Sequence, residues 1–188
     1  MNKNMKYLYL LILAIIFSMC NHANNSSEKN IEHGEIDSVF ITYLPKLVDS
    51  DVKIGCDVLA TIQSKHPINN YLDSSLVQFV DTFIVDSLGL KKIHSLIDKK
   101  EPIADFEIDT RMYVTIKYKN KYVDSICLGG IINLLPPNGK FNGKSYTFSN
   151  ELIYLLRFYS GYYKWFNKSD LSYFVELQDS TFIKNKIE

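Results

Sequence analysis

The sequence predicts an α+β domain, an antiparallel sheet with two or three helices packed on one face, following a cleaved signal peptide. Three observations carry this. Residues Asp105 to Lys119 alternate apolar and polar with period two, the residues after Asn150 change to helical spacing, and turn signals separate short apolar runs along the rest of the chain. The 188 residues suffice for one domain plus a targeting segment. A hydrophobic content of 46%, with 13 Tyr and 11 Phe, provides a core and excludes a disordered chain. Lys and Arg total 21 against 21 Asp and Glu, so the basic excess usual in nucleic-acid-binding domains is missing, and no nucleic-acid partner is expected.

Lys3 and Lys6 precede the apolar run Tyr7 to Phe17. At about 1.5 Å per residue this run covers about half of a bilayer core, which suits the h-region of a signal peptide better than a spanning helix. The run closes at Phe17-Ser18-Met19-Cys20 and gives way to polar Asn21-His22-Ala23-Asn24-Asn25-Ser26-Ser27. This layout resembles a bacterial lipoprotein signal, and the resemblance implies lipid attachment at Cys20, which becomes the new N-terminus. A signal peptide without lipid, or an uncleaved anchor, remains open. Residues 1–19 then read as signal peptide, 20–34 as a flexible tether and 35–188 as a single domain. Cleavage removes Lys3 and Lys6 and leaves the mature chain slightly acidic, so acyl chains rather than surface charge would hold it to a membrane.

Within the domain, Ile36 to Leu44 reads as a strand stopped at Pro45, and Val52 to Cys56 as another. Asp57 caps a short helix to about Lys65, before Pro67. Phe79 to Val85 reads as a strand, and Asp86 or Ser87 caps a helix to about Lys99. In the long alternation, Phe106, Ile108, Thr110, Met112, Val114, Ile116 and Tyr118 form the core-facing set. A two-residue turn at Asn120-Lys121 would set Lys117 opposite Asp124 on the outer side and Val114 opposite Cys127 on the inner side. Ile131 to Leu135 reads as a strand, Pro136-Pro137-Asn138-Gly139 as a turn, and Asn142-Gly143 as the type I′ turn of a second hairpin. Asn150 caps a helix carrying Leu152, Leu155, Leu156 and Tyr159, and Gly161 ends it.

The segments Tyr43-Leu44-Pro45, Asp109-Thr110-Arg111, Tyr118-Lys119-Asn120, Phe141-Asn142-Gly143-Lys144 and Asn150-Glu151-Leu152-Ile153 together resemble small uncharacterised lipoproteins common in Bacteroidetes, over residues 36–160. That resemblance implies an envelope location and an α+β fold, and it brings no activity.

Gly143-Lys144-Ser145 lacks the earlier glycine of a P-loop, because position 138 is Asn, and strand-like Tyr146-Thr147-Phe148 follows where a helix is needed. Asp105, Glu107 and Asp109 would share one strand face, where paired carboxylates could serve a hydrolase, or simply be a solvated face. His22, His33, His66 and His94 share no metal-ligand spacing, so no metal and no cofactor is expected. Cys56 and Cys127 form either a disulfide, closing a loop worth about 4 kcal/mol in the entropy model, or two buried free thiols. Phe158, Tyr159, Tyr162, Tyr163, Trp165 and Phe166 either complete the core after the helix or expose a ligand surface, for which Tyr162, Tyr163, Trp165 and Phe166 are the candidates. Asp-Ser pairs place Ser38, Ser87, Ser125 and Ser180 in a pattern that resembles acceptors of periplasmic O-glycosylation. Ser125 would face the core, and Ser180, in the polar tail, is the candidate.

These readings converge on a lipoprotein anchored to the outer membrane, facing the periplasm because no acidic residue precedes Glu28 behind Cys20. Its domain would bind a protein or glycan partner without catalysis. An envelope inhibitor or immunity-type protein, and a glycan or peptide hydrolase using the acidic strand, are the alternatives.

Overall fold

A computed structural model describes residues 34–45, 53–65, 79–129, 137–181 and 183, all within one compact unit, His33–Glu188. Seven strands make one antiparallel sheet: β1 (Ile36–Tyr43), β2 (Val80–Ile84), β3 (Glu101–Pro102), β4 (Thr110–Tyr118), β5 (Val123–Gly129), β6 (Asn138–Phe141) and β7 (Lys144–Thr147). Their order is β2-β1-β4-β5-β6-β7-β3. The helices are α1 (Cys56–Lys65), α2 (Ser87–Ile97), α3 (Asn150–Ser160) and the single turn α4 (Lys168–Leu171), with 3₁₀ turns at Tyr162–Trp165 and Val175–Leu177. The fold is α+β, as the change of hydrophobic period along the chain leads one to expect. The signal peptide, the tether up to His33 and the expected strand Ile131 to Leu135 lie outside the described residues.

Period-two alternation makes the sheet two-sided, and one side is strongly apolar. Val39, Ile41 and Tyr43 of β1, Met112, Val114, Ile116 and Tyr118 of β4, and Ile126 and Leu128 of β5 are all buried there. Leu90, Ile93, Leu96 and Ile97 of α2 and Leu152, Ile153 and Leu156 of α3 cover them. Each such side chain contributes about 1.5–3 kcal/mol on burial. Local chemistry starts and stops the helices. The Asp86 carboxylate accepts the Gly89 N–H at 2.7 Å, and Ser149, rather than Asn150, caps α3 by accepting the Leu152 N–H at 3.2 Å. Gly161, at φ +72°, ends α3 in the left-handed conformation that a side chain would resist.

The β4–β5 turn differs from expectation by one residue. Asn120-Lys121 has no glycine for the second of the two positive φ angles of a type I′ turn. The chain instead uses three residues, 119–121, with only Lys121 left-handed at φ 68°. The Lys121 N–H bonds the Tyr118 carbonyl at 2.9 Å, and the Tyr118 N–H bonds the Tyr122 carbonyl at 3.0 Å. Lys117 therefore pairs with Val123, Val114 with Ile126, and Tyr113 with Cys127. A one-residue slip turns every β5 side chain to the other face. Asp124, expected outside, is fully buried on the core side, where it accepts from the Tyr118 hydroxyl at 2.8 Å and the Asn142 amide at 2.6 Å. Cys127 and Ser125, expected to face the core, point to the opposite face.

That opposite face is covered by α1. Cys56, its first residue, is disulfide-bonded to Cys127, with the two Cα atoms 5.9 Å apart. Leu59 is fully buried, and the Gln63 side chain bridges the sheet. It donates to the Thr42 hydroxyl at 3.1 Å and accepts from the Thr115 hydroxyl. So α2 and α3 form the expected helical layer, while a third helix takes the far side of the sheet.

Three further expectations change. The alternation from Asp105 to Asp109 is not strand, because side-chain bonding replaces the ladder there. The Asp109 carboxylate accepts the Ile54 N–H at 2.9 Å and Arg111 Nη2 at 2.6 Å, while the Thr110 N–H bonds the Ile54 carbonyl at 2.7 Å. For the same reason residues 53–55 cross this point without forming a strand, and Cys56 already belongs to α1. Asn138-Gly139 is not a turn but the start of β6, with Gly139 opposite Leu128 and Tyr146. The Asn142-Gly143 hairpin forms as expected, at φ 48° and 80°. A Cβ at Gly139 would strike the Cys127 carbonyl and lie 2.9 Å from the Phe148 ring. Gly139→Ala should therefore cost about 1–3 kcal/mol or more, read as a lowered urea midpoint at unchanged slope.

Candidate functional site

At the end of the sheet where β1 begins, a cleft of about 280 Å³ lies between the sheet and α2. Glu35, Ile36 and Asp37 form one wall, Ser87, Leu90, Lys91 and His94 the other, and Val85 and Lys119 close the ends. Its floor is apolar, since Ile36 and Leu90 are buried, and its rim carries both signs of charge. Glu35 and Lys119, neighbours through a backbone bond, pair on its rim at 2.6 Å. The hydrogen bond and charge of Lys119 hold the Glu35 carboxyl below its usual range, with Lys91 and His94 adding to the pull, and Glu35 raises Lys119 in return. The His94 ring stands edge-on to Tyr118 at 6.4 Å. An apolar floor under a mixed rim suits an amphipathic group such as a short peptide.

Next to the cleft runs an exposed apolar ridge. Val85 and Leu88, 71% and 74% exposed, stand where β2 passes into α2. Gly89 follows Leu88, and the ring of Tyr159 from α3 lies directly over Gly89, where an added Cβ would stand 2.8 Å from it. Tyr159 meets Phe158 at 5.8 Å, and Phe158, 49% exposed, stacks on Tyr154 at 5.5 Å. Large apolar side chains left together on a surface mark interaction sites. The ridge exists because α2 and α3 approach closely through Gly89 and the Lys92–Glu151 pair at 2.7 Å, which brings outward residues of both helices side by side.

The candidate aromatic surface divides between interior and exterior. Tyr162 and Tyr163 are buried in the core, and Phe166 packs against Phe174 at 5.1 Å, so these three form no exposed platform. Trp165 is partly exposed, with its indole N–H donating to the Tyr43 hydroxyl at 3.1 Å. Beside the buried tyrosines lies an ion pair that no local pattern in the sequence announces. Arg157 of α3 meets Glu176 at 2.5 Å, both are buried, and the Tyr163 hydroxyl donates to the same carboxylate at 2.9 Å. Arg157 also donates to the Gly129 carbonyl at 3.1 Å and lies over the rings of Phe174 and Tyr162. Burial opposes the Arg157 charge, but Glu176 and the tyrosines outweigh it and its pKa rises. Burial, then the Glu176 charge, raises the Tyr163 phenol.

The three carboxylates of the expected acidic strand lie outside any strand, and each has its own partner. Asp105 is held by the Ser145 hydroxyl at 2.6 Å and by Lys140 at 3.0 Å, Glu107 by Lys53 at 3.0 Å, and Asp109 by Arg111. Among the described residues no three His, Cys, Asp or Glu gather where a metal ion could be held. Ser180 is exposed in a turn beside Asp179, whereas Ser125 lies on the α1 side of the sheet. Cys20, His22, His33 and His66 lie outside the described residues. Tyr154 stacks on Phe158 one turn along the same helix, a spacing legible in the sequence, whereas Leu88 comes beside α3 only through the packing of Tyr159 over Gly89.

Comparison of the chain with models of known protein families, with characterised proteins and with solved structures finds no match.

Glu176→Gln leaves a buried guanidinium without its counter-charge and should cost about 3–5 kcal/mol in urea unfolding. A second outcome concerns alkali. Burial raises the phenols of Tyr43, Tyr118, Tyr162 and Tyr163, so the folded chain keeps protons that the unfolded chain releases near pH 10. Stability present below about pH 10 should fall as pH climbs beyond it, with part of the tyrosinate absorbance appearing only together with loss of near-UV circular dichroism.

Proposed function

We propose that this chain is a lipid-anchored protein of the cell envelope, attached to the outer membrane through Cys20 and facing the periplasm, whose α+β domain binds a partner without catalysis. The N-terminal layout supports the anchor. The Cys56–Cys127 disulfide is the kind of bond that persists in an oxidising compartment, and so supports export. The observation that carries the binding role is the ridge Val85, Leu88, Tyr159, Phe158 and Tyr154 beside the cleft. An apolar strip with tyrosine hydroxyls among its rings suits a protein surface, where aromatic residues bury well and polar tips keep hydrogen bonds. A single tight partner would place the protein in the inhibitor or immunity class. The hydrolase alternative rests on Asp105, Glu107 and Asp109, which lie outside any strand and are each held by a separate partner.

Two measurements test this reading. The intact mass of the protein extracted from native membranes should correspond to cleavage before Cys20 plus acyl chains; a full-length mass without lipid would overturn the anchor. A photo-crosslinking amino acid at Leu88 or Phe158 should capture the same adduct repeatedly in native membranes, while one at Lys53, away from the ridge, should not. Absence of any adduct from both ridge positions would overturn the binding surface.

A further inference from the structure

The disulfide occupies a different mechanical position from the core. Along α1 the residues facing the sheet are Cys56, Leu59, Ala60 and Gln63, at helical spacing, and only Leu59 among them is a large apolar side chain fully removed from water. None of these belongs to the core cluster that joins α2 and α3 to the other face. The sheet surface beneath α1 mixes the rings of Phe40 and Tyr113 with hydroxyls: Thr42 and Thr115 bond Gln63, and Thr42 donates to Asp81 at 2.6 Å. Water can replace Gln63 at these hydroxyls, so uncovering them is far less costly than uncovering the aliphatic face. A helix of 10 residues has little stability of its own. Just before it, Ile54 is pinned by backbone and carboxylate bonds to Asp109 and Thr110, leaving Gly55 as the joint between a fixed point and α1.

We propose that the Cys56–Cys127 bond is the clasp of a separately opening layer, whose reduction frees α1 from the sheet while the α2–α3 core stays folded. This rests on the packing of α1 alone and not on the proposed partner. Cys56 is half-buried at the first position of the helix and Cys127 is buried, so Cys56 is the more accessible residue of the two and the one taken to be attacked. The reductant is a dithiol, of the class used by exported thiol–disulfide oxidoreductases. One of its thiolates attacks Cys56 Sγ, the Cys56–Cys127 bond breaks, and Cys127 leaves as a thiolate that takes a proton from solvent. The second thiolate of the dithiol then attacks the mixed disulfide and releases Cys56, which is protonated. Two electrons pass to the protein, and the dithiol becomes its own disulfide.

Hydrogen exchange of the intact protein, with and without dithiothreitol, tests this. Amides of residues 57–65 should exchange at least about tenfold faster after reduction, while those of β1, β4 and α3 keep their rates. Buried Cys127 should become alkylatable on the same timescale as α1 opens. The double variant Cys56→Ser, Cys127→Ser should show the open pattern without reductant. Unchanged protection of α1 after complete reduction would overturn the proposal, because α1 would then be held without the clasp. Acceleration throughout the chain would overturn it equally, because the bond would then staple the whole domain.

Discussion

The pairing register of β4 with β5 decides most of what this domain contains. Because successive strand residues face opposite sides, a three-residue loop closed by a single left-handed residue, Lys121, commits all of β5 at once. It sends Ile126 and Leu128 into the aliphatic core and Cys127 to the far face. There Cys127 meets Cys56, and α1 gains its covalent attachment. Had the turn been two residues long, Cys127 would have faced α2 and α3 and the second layer would have had no fixed point on β5.

The same register buries Asp124, and the domain accommodates that carboxylate with neighbouring donors. Tyr118 reaches it from the adjacent strand and Asn142 from the β6–β7 turn, while Asn142 also accepts the Ser125 N–H at 2.8 Å. Asn142 thus serves twice, supplying the left-handed backbone that the hairpin needs and a side chain that ties the hairpin to β5. At the other end of the molecule, Arg157 and Glu176 join α3 to the residues that follow α4, with Tyr163 sharing the carboxylate. Buried charges of this kind stabilise little relative to an apolar replacement but make loss of one partner costly, so they specify one arrangement of the C-terminal segment.

Several elements were legible because their signals are local. The alternation of β1 and β4, the Asp86 cap, the Asn142-Gly143 turn and the Gly161 stop all rest on residues within one or two turns of chain. The alternation over Asp105 to Asp109 misled because periodicity shows which residues could form a strand and says nothing of what lies alongside. There, Asp109 takes donors from Ile54 and Arg111 and ends the ladder. The aromatic run after α3 likewise announces large rings without saying which way they turn. The sorting of Tyr162 and Tyr163 inward depends on Glu176 and Phe174, which approach only through the tertiary fold.

The sequence by itself determined the class of the fold, the Asp86 cap, the Gly161 stop and the turn of the second hairpin, and the expectation of an exported, lipid-anchored chain, because each follows from spacing, composition or short-range bonding. Tertiary structure alone decided which face each β5 residue takes, that α1 lies apart from the other helices, and that Tyr159 of one helix packs over Gly89, next to Leu88, of another. These outcomes depend on one loop's length and on contacts between residues far apart in the chain, and neither leaves a mark on local periodicity.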